Sequence, residues 1–141
     1  MRRLFAVLAL LFAVSLPISA QFTKPEMHYV FGFAGASKIN GLDAGYSSLS
    51  VAVMNETFVV GLAPFVAQWS DSSTRFSGAI DAAIKTPKVP LHLGIGKMIG
   101  SNGTNTYGTL SWWGSNTLPT MLRLGIGKDY FAATLAFHVK R

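Results

Sequence analysis

Three histidines, His28, His92 and His138, and one carboxylate among cations, Asp81 with Lys85, Arg123 and Lys140, are the side chains best suited to chemistry in this chain. Three imidazoles form a metal-ligand set if they converge within a few ångströms. Asp81 beside Arg123 makes a forked, charge-assisted pair. One carboxylate cannot neutralise three cations, so such a site must be wet or open, and any conductance through it would favour anions. These residues are far apart in sequence, so everything they do depends on the fold. Other chemistries find little support. There is no cysteine, which removes disulfides, thiol catalysis and iron–sulfur ligation. Ser70, Asp71, Ser72 and Ser73 share a loop with no histidine nearby. The pairs Gly94/Gly96 and Gly125/Gly127 continue into strand-like sequence, whereas a phosphate-cradling loop would continue into a helix. The expectation is a protein that is not an enzyme and carries no cofactor and no metal.

The elements that must position these residues show themselves through a recurring glycine. Gly32, Gly61, Gly94 and Gly125 sit in four similar segments, each flanked by large apolar residues with small or polar residues alternating. A period of two repeated about every 31 residues is the length of a β-hairpin with its connections, and four hairpins make eight strands. Alternation places the strands at roughly 27–36, 43–53, 57–67, 75–85, 90–98, 106–113, 119–127 and 130–140. The fourth has a helical alternative, since Phe76, Ile80 and Ile84 are four apart, but the repeat requires a strand there. Connections are short and rich in Gly, Pro, Asn and Ser, so neighbours should pair antiparallel as an up-and-down meander.

Before the strands comes a different kind of segment. Met1-Arg2-Arg3 is basic, Leu4 to Val14 is apolar, and Ile18-Ser19-Ala20 ends on a small residue. This is the layout of a secretory signal peptide over residues 1–20, leaving 21–141 as one exported domain. Without Arg2 and Arg3 the formal charge falls from +6 to +4, and the remaining cations form no runs, so no nucleic-acid footprint is indicated. Half of all residues are hydrophobic and only 13% are charged, too little charge to coat a small water-soluble domain.

The two faces of the strands resolve that imbalance. One face carries Tyr29, Phe31, Phe33; Leu49, Val51, Val53; Phe58, Val60, Leu62, Val66; Phe76, Ile80, Ile84; Leu91, Leu93, Ile95; Leu122, Leu124, Ile126; and Phe131, Ala133, Leu135, Phe137, Val139. The other is small or polar and holds the four glycines and all seven of the candidate residues above. In the sixth strand either Tyr107, Thr109, Ser111 and Trp113 or Leu110 and Trp112 can face outward. Greasy side to lipid and small side to a lumen satisfies both faces, and closure satisfies the backbone. The reading is an all-β, eight-stranded antiparallel up-and-down transmembrane barrel. Eight strands leave a lumen that side chains can fill, and Phe65, Tyr46 and Met98 are candidates to fill it.

At this point the chain resembles the small eight-stranded outer-membrane barrels of Gram-negative bacteria, the outer membrane protein A and X type. The most specific part is Tyr130-Phe131-Ala132-Ala133-Thr134-Leu135-Ala136-Phe137, which looks like the assembly signal of their last strand, with Ala132 where glycine is usual and four residues after the aromatic. The resemblance implies the bacterial outer membrane, recognition by the barrel-assembly machinery, and both termini on the periplasmic side. In that orientation His28, Asp81, Lys85, His92, Arg123, His138 and Lys140 fall in the periplasmic half. They read as a polar network closing that end, a charged constriction, or a metal site. Lys97 and Lys128 end the fifth and seventh strands on the outer side, where cations suit lipopolysaccharide phosphates. Trp69, Tyr107, Trp112, Trp113, Tyr29 and Phe137 suit aromatic girdles. The functional expectation is a monomeric, non-enzymatic envelope barrel. The alternatives are a narrow anion-preferring channel and a soluble secreted barrel binding a small apolar ligand.

Overall fold

A computed structural model of the chain describes residues 25–100, 103–115 and 118–140. The proposed leader, 1–20, lies outside the described residues. Eight strands follow one another: β1 (Glu26–Ile39), β2 (Leu42–Met54), β3 (Phe58–Trp69), β4 (Thr74–Lys85), β5 (Leu91–Gly100), β6 (Gly103–Ser115), β7 (Leu118–Gly127) and β8 (Tyr130–Lys140). Each pairs antiparallel with the next, and β8 pairs with β1, so the sheet closes into a barrel. The segment with helical spacing, 75–85, is strand.

The first hairpin is tighter than the sequence suggests. Lys38 and Asp43 are ladder partners, and the turn itself is only Asn40-Gly41, both with positive φ. That is the Asn-Gly chemistry of a turn whose twist matches the strands it joins. At the other end of the barrel the Asn55 side-chain oxygen accepts from the backbone N–H groups of Thr57 and Phe58, closing the β2–β3 turn.

Strand tilt is visible in the register. Following ladder partners from Met27 through Val53, Val60, Ala82, Ile95, Gly108, Ile126 and Phe131 leads back to β1 at Lys38. The path misses its start by eleven residues, because strands in a closed barrel must lean and stagger. Except for Ala82, Gly108 and the closing Lys38, every residue on this outward spiral is an exposed large apolar side chain.

The spiral one residue along lies inside. It runs His28, Ala52, Gly61, Asp81, Gly96, Tyr107, Gly127, Tyr130 and Ile39. Five of these nine residues are buried aromatic, apolar or histidine side chains, and the others are Gly61, Gly96, Gly127 and the mostly buried Asp81 in between.

Alternation breaks once on β3, and two expectations change there. Val66 points inward, 1% exposed, and Phe65 points outward, 65% exposed. The register shifts between Ala63 and Val66 against β4, and Pro64 lies inside that step. Proline has no N–H to give the ladder, so a bulge at this point costs little and flips the parity beyond it. Thus Phe65 does not fill the lumen, whereas Tyr46 and Met98, both buried, do. On β6 the inward set is Tyr107, Thr109, Ser111 and Trp113, with Leu110 and Trp112 exposed. Tyr107 and Trp113 are therefore interior residues, while Trp69, Trp112 and Phe137 remain on the outer wall.

Candidate functional site

The polar residues singled out from the sequence divide between two levels of the lumen instead of forming one group. His28, Lys85, His92 and His138 lie at the end of the barrel that holds the termini. Asp81 and Arg123 lie deeper. Asp81 is four residues in from Lys85 along β4, roughly 13 Å at strand rise, so its pair with Arg123 forms a level of its own. Lys140 is the ladder partner of His28, and its side chain lies outside the described residues.

At the deeper level Arg123 donates from Nη2 to Asp81 Oδ2 at 2.5 Å. These residues are on β7 and β4, which are not neighbours in the sheet, so the pair is a strut across the lumen. Its side chains are mostly buried, at 25% and 12% exposed. Charged partners held this far from bulk water interact strongly, and a lone survivor would be costly.

The glycines make room for the groups that fill the barrel. Asp81 has Gly61 and Gly96 as its two ladder partners, and Tyr107 has Gly96 and Gly127. A Cβ built on Gly61 would lie 2.9 Å from Asp81 Oδ1. On Gly96 it would lie 2.5 Å from the Tyr107 ring, and on Gly125 2.7 Å from the Tyr130 ring. Gly32 faces Ser48 and Thr134, and Gly94 faces Ala83, at similarly short range. At all of these but Gly94, where the nearest atom is the Ala82 backbone oxygen, a side chain of another strand occupies the space a Cβ would take.

Above the strut, away from the termini, Tyr107 and Tyr130 stack with ring centroids 4.1 Å apart and planes within 6° of parallel. Tyr46, Met98, Val66 and Ile39 complete this buried cluster. Beyond it Gln68 Nε2 donates to Ser37 Oγ at 2.7 Å, both residues being buried. Below the strut lies a second cluster of Val30, Ala52, Met54, Val59, Met121 and Ala136. Cavities of about 20 Å³ and 30 Å³ flank Arg123 on its two sides, and one of about 10 Å³ lies beside Met98 and Gln68. A cavity needs about 10–15 Å³ to hold a water molecule, so each of these has room for one or two.

The terminal end is closed by rings. Trp113 packs edge-on against His138, with centroids 4.2 Å apart, and tilts against His92 at 5.1 Å. His28 lies 5.7 Å from His138 on the other side. Trp113 thus stands between His92 and His138, and the three imidazoles do not converge as tetrahedral metal ligands must. Among the described residues no group of three His, Asp or Glu side chains is placed to hold a metal ion. His28 also lies 3.7 Å from Glu26.

Sequence reasoning did not find the tyrosine stack or the tryptophan wedge. The register could have found Tyr107, an inward residue with glycine on both neighbouring strands, which must be the large one; Trp113, whose ladder partner is Met121, gives no such signal. Lys97 is exposed on the outer wall of β5, and Lys128 is exposed in the β7–β8 turn, both at the end away from the termini. Compared with protein-family models, with curated proteins and with solved structures, the chain matches none.

Proposed function

We propose that this barrel is an integral protein of a bacterial outer membrane, of the outer membrane protein A and X type. Its role is non-enzymatic and lies in envelope structure or surface interaction. The observation that carries this reading is the inversion of the two walls. Among the described residues twenty-three large hydrophobic side chains are exposed, and they include members of all eight strands. Monomeric water-soluble proteins seldom expose contiguous apolar patches beyond a few hundred Å². The charged pair is inside. That arrangement suits hydrocarbon outside, where each backbone group is satisfied by sheet closure. The exported leader supports the same destination, and the strand β8 is the segment the barrel-assembly machinery would read.

The packed lumen supports a barrel whose function does not depend on flow. Two apolar clusters, the Arg123–Asp81 strut and the Trp113 wedge succeed one another along the axis. Fractionation of cells tests the destination: the chain should stay with the outer membrane, require detergent for extraction, and migrate differently on a gel before and after boiling. Recovery as a detergent-free soluble monomer overturns the membrane reading and favours a soluble ligand-binding barrel. Planar-bilayer recording tests the lumen: no steady conductance is expected, and a sustained anion-selective current would establish the channel alternative instead.

A further inference from the structure

The ring contacts at the terminal end of the lumen are all inclined, by 37°, 41° and 65°. Tyr107 on Tyr130 differs: the planes are within 6° of parallel and the centroids 4.1 Å apart. Aromatic pairs usually keep about 4.5–7 Å between centroids, because full face-to-face overlap sets like quadrupoles against each other. With about 3.5 Å between carbon planes, a 4.1 Å centroid distance leaves an offset of only about 2 Å, so each ring lies over the other.

The barrel wall imposes this contact. The two tyrosines come from β6 and β8, and Gly127 on β7 is the ladder partner of both, so no side chain stands between them. Gly96 and Gly125 leave the space in which the two rings lie. Side-chain hydrogen bonds also link Tyr130 to Tyr107 and to Tyr46. The Tyr107 and Tyr130 hydroxyls are therefore at the same end of the stack. That brings the ring carbons ortho to each oxygen to one end of the overlap.

Phenols stacked in this way are aligned for coupling. A tyrosine that loses one electron and its hydroxyl proton becomes a neutral radical, with its spin shared between the oxygen and the ortho carbons. Two such radicals join through π orbitals, which point out of the ring planes. A face-to-face pair is oriented for that bond, and a T-shaped pair is not. Neighbours already held in contact also avoid the search that free phenols must make.

We propose that Tyr107 and Tyr130 are an oxidative modification site, coupled by a small one-electron oxidant into a dityrosine bond that staples β6 to β8. Two equivalents of oxidant each take one electron, and the two hydroxyl protons are released. One carbon–carbon bond forms between ortho carbons. The hydrogen on each of those carbons then moves to its oxygen as the rings regain aromaticity, so the chain loses two hydrogens in all. An electron can leave a buried ring without the oxidant touching it. The protons need an acceptor, and the cavity of about 20 Å³ lined by Tyr46, Tyr130 and Arg123 has room for a water molecule. The staple skips β7 and closes a loop from Tyr107 to Tyr130 in the unfolded chain. The site lies in the lumen and is the same whether lipid or water covers the outer wall.

The test exposes the folded full chain to sulfate radical, made by photolysis of persulfate, with light alone and persulfate in the dark as controls. Each radical accepts one electron and becomes sulfate, so two supply one bond. The folded chain should gain dityrosine fluorescence while remaining a monomer on a gel. Proteolysis and mass spectrometry should find the Tyr107 and Tyr130 peptides joined with the loss of two hydrogens. Y107F and Y130F should each abolish the joined pair, and Y46F should keep it. Urea-unfolded chain at the same dose should give at least about tenfold less. After boiling, the stapled chain should migrate ahead of the untreated one, because its unfolded form is shorter. The peptide assignment in the wild-type chain decides the matter even where a variant fails to fold. No Tyr107–Tyr130 pair at a dose that oxidises Tyr29, a dominant pair of any other two tyrosines, or equal yields from folded and unfolded chain overturns the proposal.

Discussion

The inner and outer walls of this barrel are made by the same eight strands, one residue out of step, and follow opposite rules. Outside, the side chains are large and alike, and neighbours need only be apolar. Inside, sizes are matched pair by pair: glycine against tyrosine, glycine against aspartate, serine and threonine beside arginine. Ser111 and Thr134 are the ladder partners of Arg123. The outer wall is specified by chemistry and the inner wall by shape. Mutational tolerance should differ accordingly, and each prediction below would break or sharpen that contrast.

The largest effect is expected at the strut. Replacing Asp81 with alanine, or Arg123 with alanine, leaves one charge without its partner inside the lumen and should cost about 3–5 kcal/mol. Urea titration of refolded barrel in lipid vesicles would measure it. Asp81→Leu combined with Arg123→Met should recover most of the loss, because no orphaned charge remains. A double variant as unstable as the singles would show that the ion pair itself holds the walls. The same charge placed outside tests the other wall. Leu62 is exposed, with Val51 and Ile80 as ladder partners. Leu62→Arg should destabilise the barrel in vesicles by about 2–4 kcal/mol if it sits at mid-depth. An unchanged midpoint would mean that water, not lipid, covers this wall.

The trade of size across the lumen gives the next effect. Gly96→Ala puts a methyl group into the Tyr107 ring, and overpacking of this kind costs about 1–3 kcal/mol. Tyr107→Leu in the same chain should relieve part of it, which a double-mutant cycle would read as coupling. Additive losses would show that Gly96 is needed for some reason other than the ring.

The outer wall was the easier one to read from sequence. Phe131, Leu135, Phe137 and Val139 announce their face by alternation alone, since only Ala133 among its five members is small. Closure, strand number and antiparallel order follow from that pattern and the short turns. The inner wall was legible in part. Asp81 and Arg123 could be paired because no other inward carboxylate competed, yet their depth depended on tilt, which a single strand does not reveal. Tyr107 and Trp113 were ambiguous because β6 carries an aromatic residue on each face, Trp112 opposing Trp113. Period two cannot choose between equal faces; only the neighbouring strands can. Phe65 and Val66 were misread because one bulged residue at Pro64 reverses parity, and a bulge leaves no trace in composition.

The smallest effect should come from the mirror-image glycine. Gly108 is on β6 like Tyr107, one residue along, but faces outward, where a Cβ would make only ordinary contacts with the backbone oxygens of Ile126 and Gly94, at 3.8 and 3.9 Å. Gly108→Ala removes backbone freedom from the unfolded chain and adds a methyl group that clashes with nothing. In a strand the first of these effects stabilises by about 0.5–1 kcal/mol where the native φ and ψ suit alanine. Neither of its ladder partners, Ile95 and Ile126, has a side-chain atom within 4 Å of the place such a methyl group would take. The measured change in vesicles should therefore be zero or slightly stabilising, in contrast to the loss expected for Gly96→Ala on the adjacent strand. A loss as large as that of Gly96→Ala would mean that the outer wall is also matched pair by pair, and the contrast between the walls would fall.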